Sequence, residues 1–379
     1  MLLSNAFRPD PRVLKEAESL CGQGHNLAII CWDRKKELKS EELLPSGVKI
    51  IRIQNIRSDY GTGIRQLLRV PYFWWAIKHN LRELNPDIIH CHDFDTLPAG
   101  LLYGFFQRIP VIYDAHEYYA ELIKPRLKGI IGWFIRKLVD LFEGIGAHYV
   151  NAVVTVDTIL AEIYRKYNNN VIILGHYPIK SMAMRSNPVF SRSVLTLIYS
   201  GRLSIDRGIL IYSAILRKLL EVGIPTRLKL AGTFTPENEQ EIFFENAKDV
   251  KDFIDYLGWT PYEKISENYH SADIGLAILL PEPRYVAATP VKLFEYMASG
   301  LPVIASNFPA ISHIVNDANC GLLVEPMADI TSTVKNIKTW YENKTIPKIL
   351  GENGRQAIIS KYNWENQIAS LIDFYNTLS

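Results

Sequence analysis

Short apolar runs recur along this chain in two separate sets, and stretches of helical spacing lie between them. Leu2-Leu3-Ser4, Asn26 to Trp32, Asp87 to Cys91 and Pro110 to Tyr113 form the earlier set. Val194 to Tyr199, Arg227 to Ala231, Phe253 to Leu257, Ile274 to Ile278 and Leu301 to Ala305 form the later one. Runs this short and this apolar suit strands buried on both faces, and alternation with helices makes neighbouring strands parallel. Helical spacing over Arg12 to Gln23, a turn at Gly24 and a helix from about Tyr72 to Leu84 complete the first βαβ units. The fold class is therefore α/β, with two Rossmann-like domains over residues 1–178 and 179–379. A chain of 379 residues with 48% hydrophobic content is long enough for two cores. The seam falls near Gly175 to Asn187, beside Pro178 and Pro188. Only Met1 precedes Leu2-Leu3, so the first strand reads as clipped at its start.

Charge and cysteine content exclude some functions. Lys plus Arg total 42 against 40 for Asp plus Glu, and a net charge of +2 gives no whole-molecule attraction to nucleic acid. Any anion site must then be local. Cys21, Cys31, Cys91 and Cys320 have neither metal-ligand spacing nor a disulfide framework, which fits a reducing, cytoplasmic setting. Tyr296 to Asn316 lacks Asp, Glu, Lys and Arg, yet Gly300, Pro302 and Pro309 would break a helix in lipid. A helix end, a buried strand and a loop use the same residues well.

The strongest site signal follows the first strand of the later set: Tyr199-Ser200-Gly201-Arg202-Leu203-Ser204-Ile205-Asp206-Arg207-Gly208. Gly201 lets the backbone pass close to a ligand, and two cations five residues apart at the carboxyl edge of a parallel sheet suit a diphosphate. Arg202 and Arg207 are the expected clamp, although a solvated loop would also tolerate them. A second signal runs from Thr289 to Ile304. Thr289 is placed as N-cap and Pro290 at the first helical position, so backbone N–H groups near Val291, Lys292, Leu293 and Phe294 form an anion site. Glu295, one turn further on, is placed to accept hydrogen bonds from ribose hydroxyls. Leu293, Phe294 and Met297 also fit as core, and Lys292 as a solvated face residue.

These residues resemble the retaining nucleotide-sugar transferases of glycosyltransferase family 4, which have the GT-B fold, and the resemblance extends over nearly the whole chain. In that family a Gly-Arg-Leu-x-x-x-(Lys/Arg)-Gly stretch grips the diphosphate, and a segment with two glutamates precedes a Pro-Val-Ile strand. Asn307-Phe308-Pro309, Cys320-Gly321-Leu322-Leu323-Val324 and Tyr362-Asn363-Trp364 also look like this family. One departure stands out: the first of the paired glutamates should fall at position 287, where this chain has Ala287. The resemblance implies two sheets facing across a cleft and a last helix, about 363–379, crossing back to the first domain. It also implies retention of anomeric configuration and packing of a nucleobase on the loop of Gly258 and Trp259. Gly232, in Ala231-Gly232-Thr233, would let the donor approach the backbone. The donor is expected to be UDP- or GDP-linked, with no further cofactor.

The first half is expected to face the acceptor, a glycan or a lipid-linked saccharide. Asp87 to Asp95 ends a strand in His90, His92, Asp93 and Asp95, and the resemblance places a histidine of this strand end near the donor sugar, with His92 the candidate. Asp114-Ala115-His116-Glu117 is its counterpart on the next strand, and Arg12 is a candidate for an anionic acceptor. Structural histidines would fit both places. Asp93-Phe94-Asp95 has the Asp-x-Asp form of a manganese site in the other large glycosyltransferase fold. No metal is expected, because two arginines and a helix end would already neutralise the diphosphate. Lys124 to Lys128 leads into the apolar Ile130 to Phe142, with Arg136 and Lys137 on another side. That helix, over 124–142, fits either an anionic membrane surface or the interior of the first domain. Two rival functions share these features: a nucleotide-sugar epimerase and a non-catalytic donor-binding subunit.

Overall fold

The computed structural model describes residues 1–8, 10–58, 68–123, 129–184, 193–286 and 289–378. Ala287 and the basic run Lys124 to Lys128 lie outside the described residues. The chain forms two compact units, Met1–His176 with Gln367–Ser379, and Tyr177–Asn366.

The first unit holds an eight-stranded sheet ordered β3-β4-β2-β1-β5-β6-β7-β8. Its strands are β1 (Leu2–Leu3), β2 (Ala28–Trp32), β3 (Glu41–Leu43), β4 (Lys49–Ile53), β5 (Ile89–His92), β6 (Val111–Ala115), β7 (Ala152–Thr155) and β8 (Val171–Ile173). Among the described residues, only β3 runs antiparallel to its neighbour. Alternate side chains enter different layers. Ile89, Cys91, Val111 and Tyr113 join one core, while Leu3, Ile29, Cys31 and Ile50 join another. His90, His92 and Asp114 therefore project from the face opposite Cys91 and Tyr113, and all three are buried.

The second unit holds six parallel strands: β9 (Leu195–Ser200), β10 (Thr226–Ala231), β11 (Ile254–Gly258), β12 (Ile274–Ala277), β13 (Val303–Ser306) and β14 (Gly321–Val324). Their order is β11-β10-β9-β12-β13-β14. The direction of winding reverses between β9 and β12, and in open α/β sheets ligands bind beyond the carboxyl ends of strands at such a point. Ile198, Ala277 and Val303 face one core, whereas Leu197, Tyr199, Leu276 and Ile304 face the other. The central strands β9, β12 and β13 are thus buried on both sides and read as continuous apolar runs, whereas β10 and β11 toward the edge carry Arg227, Lys229 and Asp255.

Strand positions read from sequence agree with these to within two residues for most elements. β3, β4, β7, β8 and β14 were not anticipated: β3 is wholly exposed and β8 is three half-buried residues, whereas β4, β7 and β14 carry apolar runs that were passed over. No described helix is long and apolar enough to cross a membrane.

Candidate functional site

In the second unit, three strand ends are laced together by backbone. Gly201 N–H donates to Ala231 O at 2.8 Å, and Gly232 N–H to Gly258 O at 2.7 Å. Gly232 has φ 150°, and a Cβ there would collide with the carbonyl oxygen of Gly201. Only glycine lets the two loops lie this close.

Past Gly201 the chain turns through a short 3-10 segment, Ile205–Arg207. One hydroxyl organises the cations there. Arg202 Nη2 donates to Tyr285 Oη at 3.0 Å, Arg207 Nε donates to the same oxygen at 3.3 Å, and Tyr285 donates to Asp206 Oδ2 at 2.9 Å. Arg202 also pairs with Asp206 at 3.1 Å. Lys292 completes the group from the helix Val291–Ala298. It is 7% exposed, its ammonium has no hydrogen-bond partner, and it lies 3.9 Å above the Tyr199 ring. A Cβ on Gly201 would sit 3.3 Å from its Nζ, so the ammonium is aimed at the glycine loop. Burial first, then the positive charge of Arg207, holds its pKa well below the usual lysine range. Three cations crowd a space in which a multivalent anion would relieve both desolvation and repulsion.

That helix starts one residue later than the sequence implied: Pro290 is the cap residue, extended at ψ 131°, and no side chain caps the helix. Glu295 accepts from Tyr269 Oη at 2.7 Å, and that hydroxyl also lies 2.7 Å from Ser200 Oγ. The carboxylate is thereby fixed at the end of β9. Leu293 and Phe294 are buried in the core, so only their backbone is placed to meet a ligand. Gly258 takes φ 65°, and Trp259 beside it is 73% exposed.

In the first unit, His92, Asp114 and His116 converge at the carboxyl ends of β5 and β6. His92 Nδ1 lies 3.2 Å and His116 Nε2 3.3 Å from the same oxygen, Asp114 Oδ2, with His90 Nε2 at 3.7 Å. Burial opposes charge on His116, but Asp114 and Asp93 outweigh it and hold its pKa well above the ordinary value. Burial alone would raise Asp114, yet His116 and its companions hold it well below the carboxylate range. Burial pushes His90 down to about 4, and it shares a 2.8 Å hydrogen bond with Tyr375. Arg12, the second residue of a helix, Pro11–Gly22, that is capped by Asp10, lies 3.5 Å from His176 Nε2. Burial, then Arg12, lowers His176 to about 3.

Comparisons with known proteins identify the family and the fold. Residues 184–357 fit the family model described as glycosyl transferases group 1, and residues 12–173 fit that of glycosyltransferase family 4. The chain belongs to the family 4, group 1 glycosyltransferases. Glycogen synthase of Mycobacterium tuberculosis is 20% identical over 304 residues, 78% of this chain and 69% of the relative. The lipopolysaccharide 1,2-N-acetylglucosaminetransferase of Salmonella typhimurium is 27% identical over 190 residues, 48% of each chain. Among solved structures, sucrose-phosphate synthase of Thermosynechococcus elongatus superposes with a TM-score of 0.74 at 18% identity, covering 100% of this chain and 98% of that one. Anabaena HepE in complex with UDP and glucose gives 0.68 at 13% identity, covering 99% and 98%. At such identities the likeness shows the fold, and the fold is GT-B.

Several residues of this glycosyltransferase were not singled out from sequence. Tyr285 and Asp206 order the arginine pair, and Glu16, from the helix Pro11–Gly22, reaches the His92–Asp114–His116 group. Tyr285 comes from 79 residues beyond Asp206 and carries no local pattern. Glu16 had a signal in hindsight, as an acidic residue on the buried stripe with Val13, Ala17 and Leu20.

The helix Gly129–Tyr149 inverts the usual arrangement. Its inward stripe is Glu143, Gly144, Gly146 and Ala147, and its large apolar side chains point out. Glu143 is the anchor, accepting from Tyr113 at 2.9 Å, Tyr164 at 2.7 Å and the Tyr119 N–H at 3.2 Å. Trp133, Phe134, Leu141 and Phe142 are exposed. A Cβ on Gly146 would lie 2.6 Å from Leu97 Cδ2, so the helix packs on Leu97–Gln107, which itself exposes Leu102, Phe105 and Phe106.

Proposed function

We propose that this glycosyltransferase moves a sugar from a UDP- or GDP-linked donor to a hydroxyl of a glycan or lipid-linked saccharide, with retention. The observation that carries the reading is Lys292, a buried ammonium with no hydrogen-bond partner, set beside Arg202 and Arg207. Departure of the nucleoside diphosphate builds negative charge on a phosphate oxygen while the sugar carbon becomes oxocarbenium-like. Three preorganised cations answer that charge. Glu295, held by Tyr269, is assigned to the ribose hydroxyls, and the Gly258–Trp259 loop to the base. Gly201 and Gly232 bring backbone within reach of the phosphates. The carboxyl edge of β5 and β6, with His92, Asp114 and His116, is assigned to the sugar and acceptor side, with Arg12 as its cation. For retention we favour attack from the leaving-group face, since no carboxylate is assigned as a nucleophile.

A lipid-linked acceptor is favoured by the exposed apolar face. Trp133, Phe134, Phe105 and Phe106 stand on two packed helices alongside Lys137 and Arg108, a composition suited to an anionic membrane interface on the cytoplasmic side.

Calorimetric titration with UDP and GDP, in wild type and Lys292→Met, tests the reading. Binding of one nucleotide that weakens at least tenfold in the variant is expected, and equal binding by both proteins overturns it. Mass analysis with donor alone separates the rivals: an epimerase converts it, and a transferase leaves it intact until an acceptor is supplied. Binding without turnover on any acceptor points to a non-catalytic subunit. The anomeric configuration of the product, read by NMR, decides retention.

A further inference from the structure

One groove in the first unit has an apolar wall and a basic rim, and none of its residues belongs to the donor or sugar-side assignments. It runs along the second half of the helix Gly129–Tyr149, where Lys137, Leu141, Gly144 and His148 recur at helical spacing and so share one stripe. The facing wall is Lys166 and Tyr167, from the loop that follows the helix Thr158–Tyr164. The space between them is about 530 Å³. Gly144 forms its floor, since a Cβ there would stand 2.7 Å from Tyr167 Cε1. Hydrogen bonds fix both walls. The buried Asn168 donates through Nδ2 to Ala147 O and Val150 O, each at 2.8 Å, and His148 Nδ1 donates to Tyr167 O at 3.1 Å. The Asn168 bonds also occupy carbonyls at the carboxyl end of the helix, whose partial negative charge would otherwise repel an anion.

The chemistry changes across the groove. Leu141 and Ile145 supply its apolar wall and are 56% and 44% exposed. With Phe134 and Leu138 they form a second exposed stripe at helical spacing, so the groove opens sideways onto the bare apolar face of the helix. Its charged and titratable side groups are Lys137, Lys166, His148 and Asp140. Asp140 is already answered, by the Tyr118 hydroxyl and by Lys137 at 3.7 Å. Lys166 makes no ion pair among the described residues. Ammonium groups on the rim of a slot that merges with an apolar surface complement an amphiphile, anionic at one end and hydrocarbon at the other. A soluble phosphate would leave Leu141 and Ile145 bare.

We propose that this groove binds the head of one anionic phospholipid, with its phosphate between Lys137 and Lys166 and its chains running over Leu141 and Ile145 toward Phe134. The site rests on the membrane reading of the proposed function for its role. That reading treats the aromatic face as a general interface, whereas the groove is a stoichiometric site that fixes the tilt of the first unit on the lipid surface.

The test uses the full chain and dihexanoyl phosphatidylglycerol kept below its micelle concentration, which isolates the groove from a bilayer. Calorimetric titration should show saturable binding of about one lipid per chain, with two controls each bound roughly tenfold more weakly. The controls are the neutral dihexanoyl phosphatidylcholine and glycerophosphoglycerol, which has the headgroup and no chains. Lys137→Gln with Lys166→Gln should weaken phosphatidylglycerol binding by about tenfold. Leu141→Trp fills the groove while making the helix more apolar, so it should weaken the short-chain lipid as well, yet not reduce co-sedimentation with phosphatidylcholine vesicles. Both variants change exposed positions, and an unchanged Tm confirms that they fold. Uptake that does not saturate, equal binding of either control, or wild-type affinity in either folded variant would each overturn the groove. Vesicles containing phosphatidylglycerol keep the two readings apart. Vesicle binding without short-chain lipid binding removes the groove and leaves the interface, and the reverse keeps the groove and removes the interface.

Discussion

Lys292 is charged in water and nearly stripped of water in the fold, and its ammonium has no hydrogen-bond partner. Its pKa is held down by burial and by Arg207, so binding a diphosphate should raise that pKa and draw in a proton. The sign is fixed: the bound state holds more protons, so affinity for UDP falls as pH rises through the interval between the free and bound pKa. Calorimetry over a series of pH values, in buffers of differing ionisation enthalpy, should show a window of net proton uptake that Lys292→Met abolishes. Tyr285 acts differently, because its hydroxyl touches both arginines and Asp206. Tyr285→Phe should weaken UDP binding by several-fold, about 1 kcal/mol, through disordered arginines, with little change in Tm. At this scale the sequence was informative where residues of one loop act together. Arg202 and Arg207 are five positions apart and follow a strand, so their direction could be read. The Tyr285 hydroxyl, the Glu295–Tyr269 contact and the approach of Glu16 to Asp114 depend on how distant segments pack, and no spacing in the chain encodes that.

Strands and helices were far more legible, since burial on both sheet faces writes itself as an apolar run. One exception follows the same physics. β3, the one antiparallel strand among the described residues, is exposed and has no such run. Strand ends carry the most sharply defined element-scale prediction. At Gly232 both the φ of 150° and the contact with the Gly201 carbonyl forbid a side chain. Gly232→Ala should lower stability by on the order of 1–3 kcal/mol in urea unfolding and abolish measurable UDP binding; an unchanged affinity would show that the loops need not meet for donor capture. The helix Gly129–Tyr149 was readable as amphipathic, but which side faced inward was not. A glutamate satisfied by two tyrosines and a backbone N–H takes the interior, and aromatics take the surface. Trp133→Ser with Phe134→Ser should cut co-sedimentation with both neutral and anionic vesicles. Arg108→Glu with Lys137→Glu should reduce only the anionic case, by roughly 1 kcal/mol or more for each residue. Vesicle binding unaffected by either pair removes the membrane from the proposed function.

As a whole molecule the chain repeats one plan, a parallel sheet wound outward from a switch point, in two units with different chemistry at the strand ends. The first gathers histidines and carboxylates in a buried group; the second gathers cations around two glycine turns. That contrast predicts where a nucleotide leaves its mark. A ligand that binds only the folded state stabilises it by RT ln(1 + [L]/Kd), about 2.7 kcal/mol at a hundred times Kd. Tm should therefore climb steadily with UDP or GDP concentration and respond to one base more than the other. Hydrogen exchange on the same samples should localise the effect. Amides of residues 199–208 and 289–298 should gain the most protection, because the phosphates are assigned to the loop after β9 and the helix Val291–Ala298. Amides near Gly258 should follow if the base lies on the Trp259 loop. Protection that leaves both phosphate segments unchanged while Tm rises would place the nucleotide elsewhere in the chain, and the unpartnered ammonium of Lys292 would then need another anion.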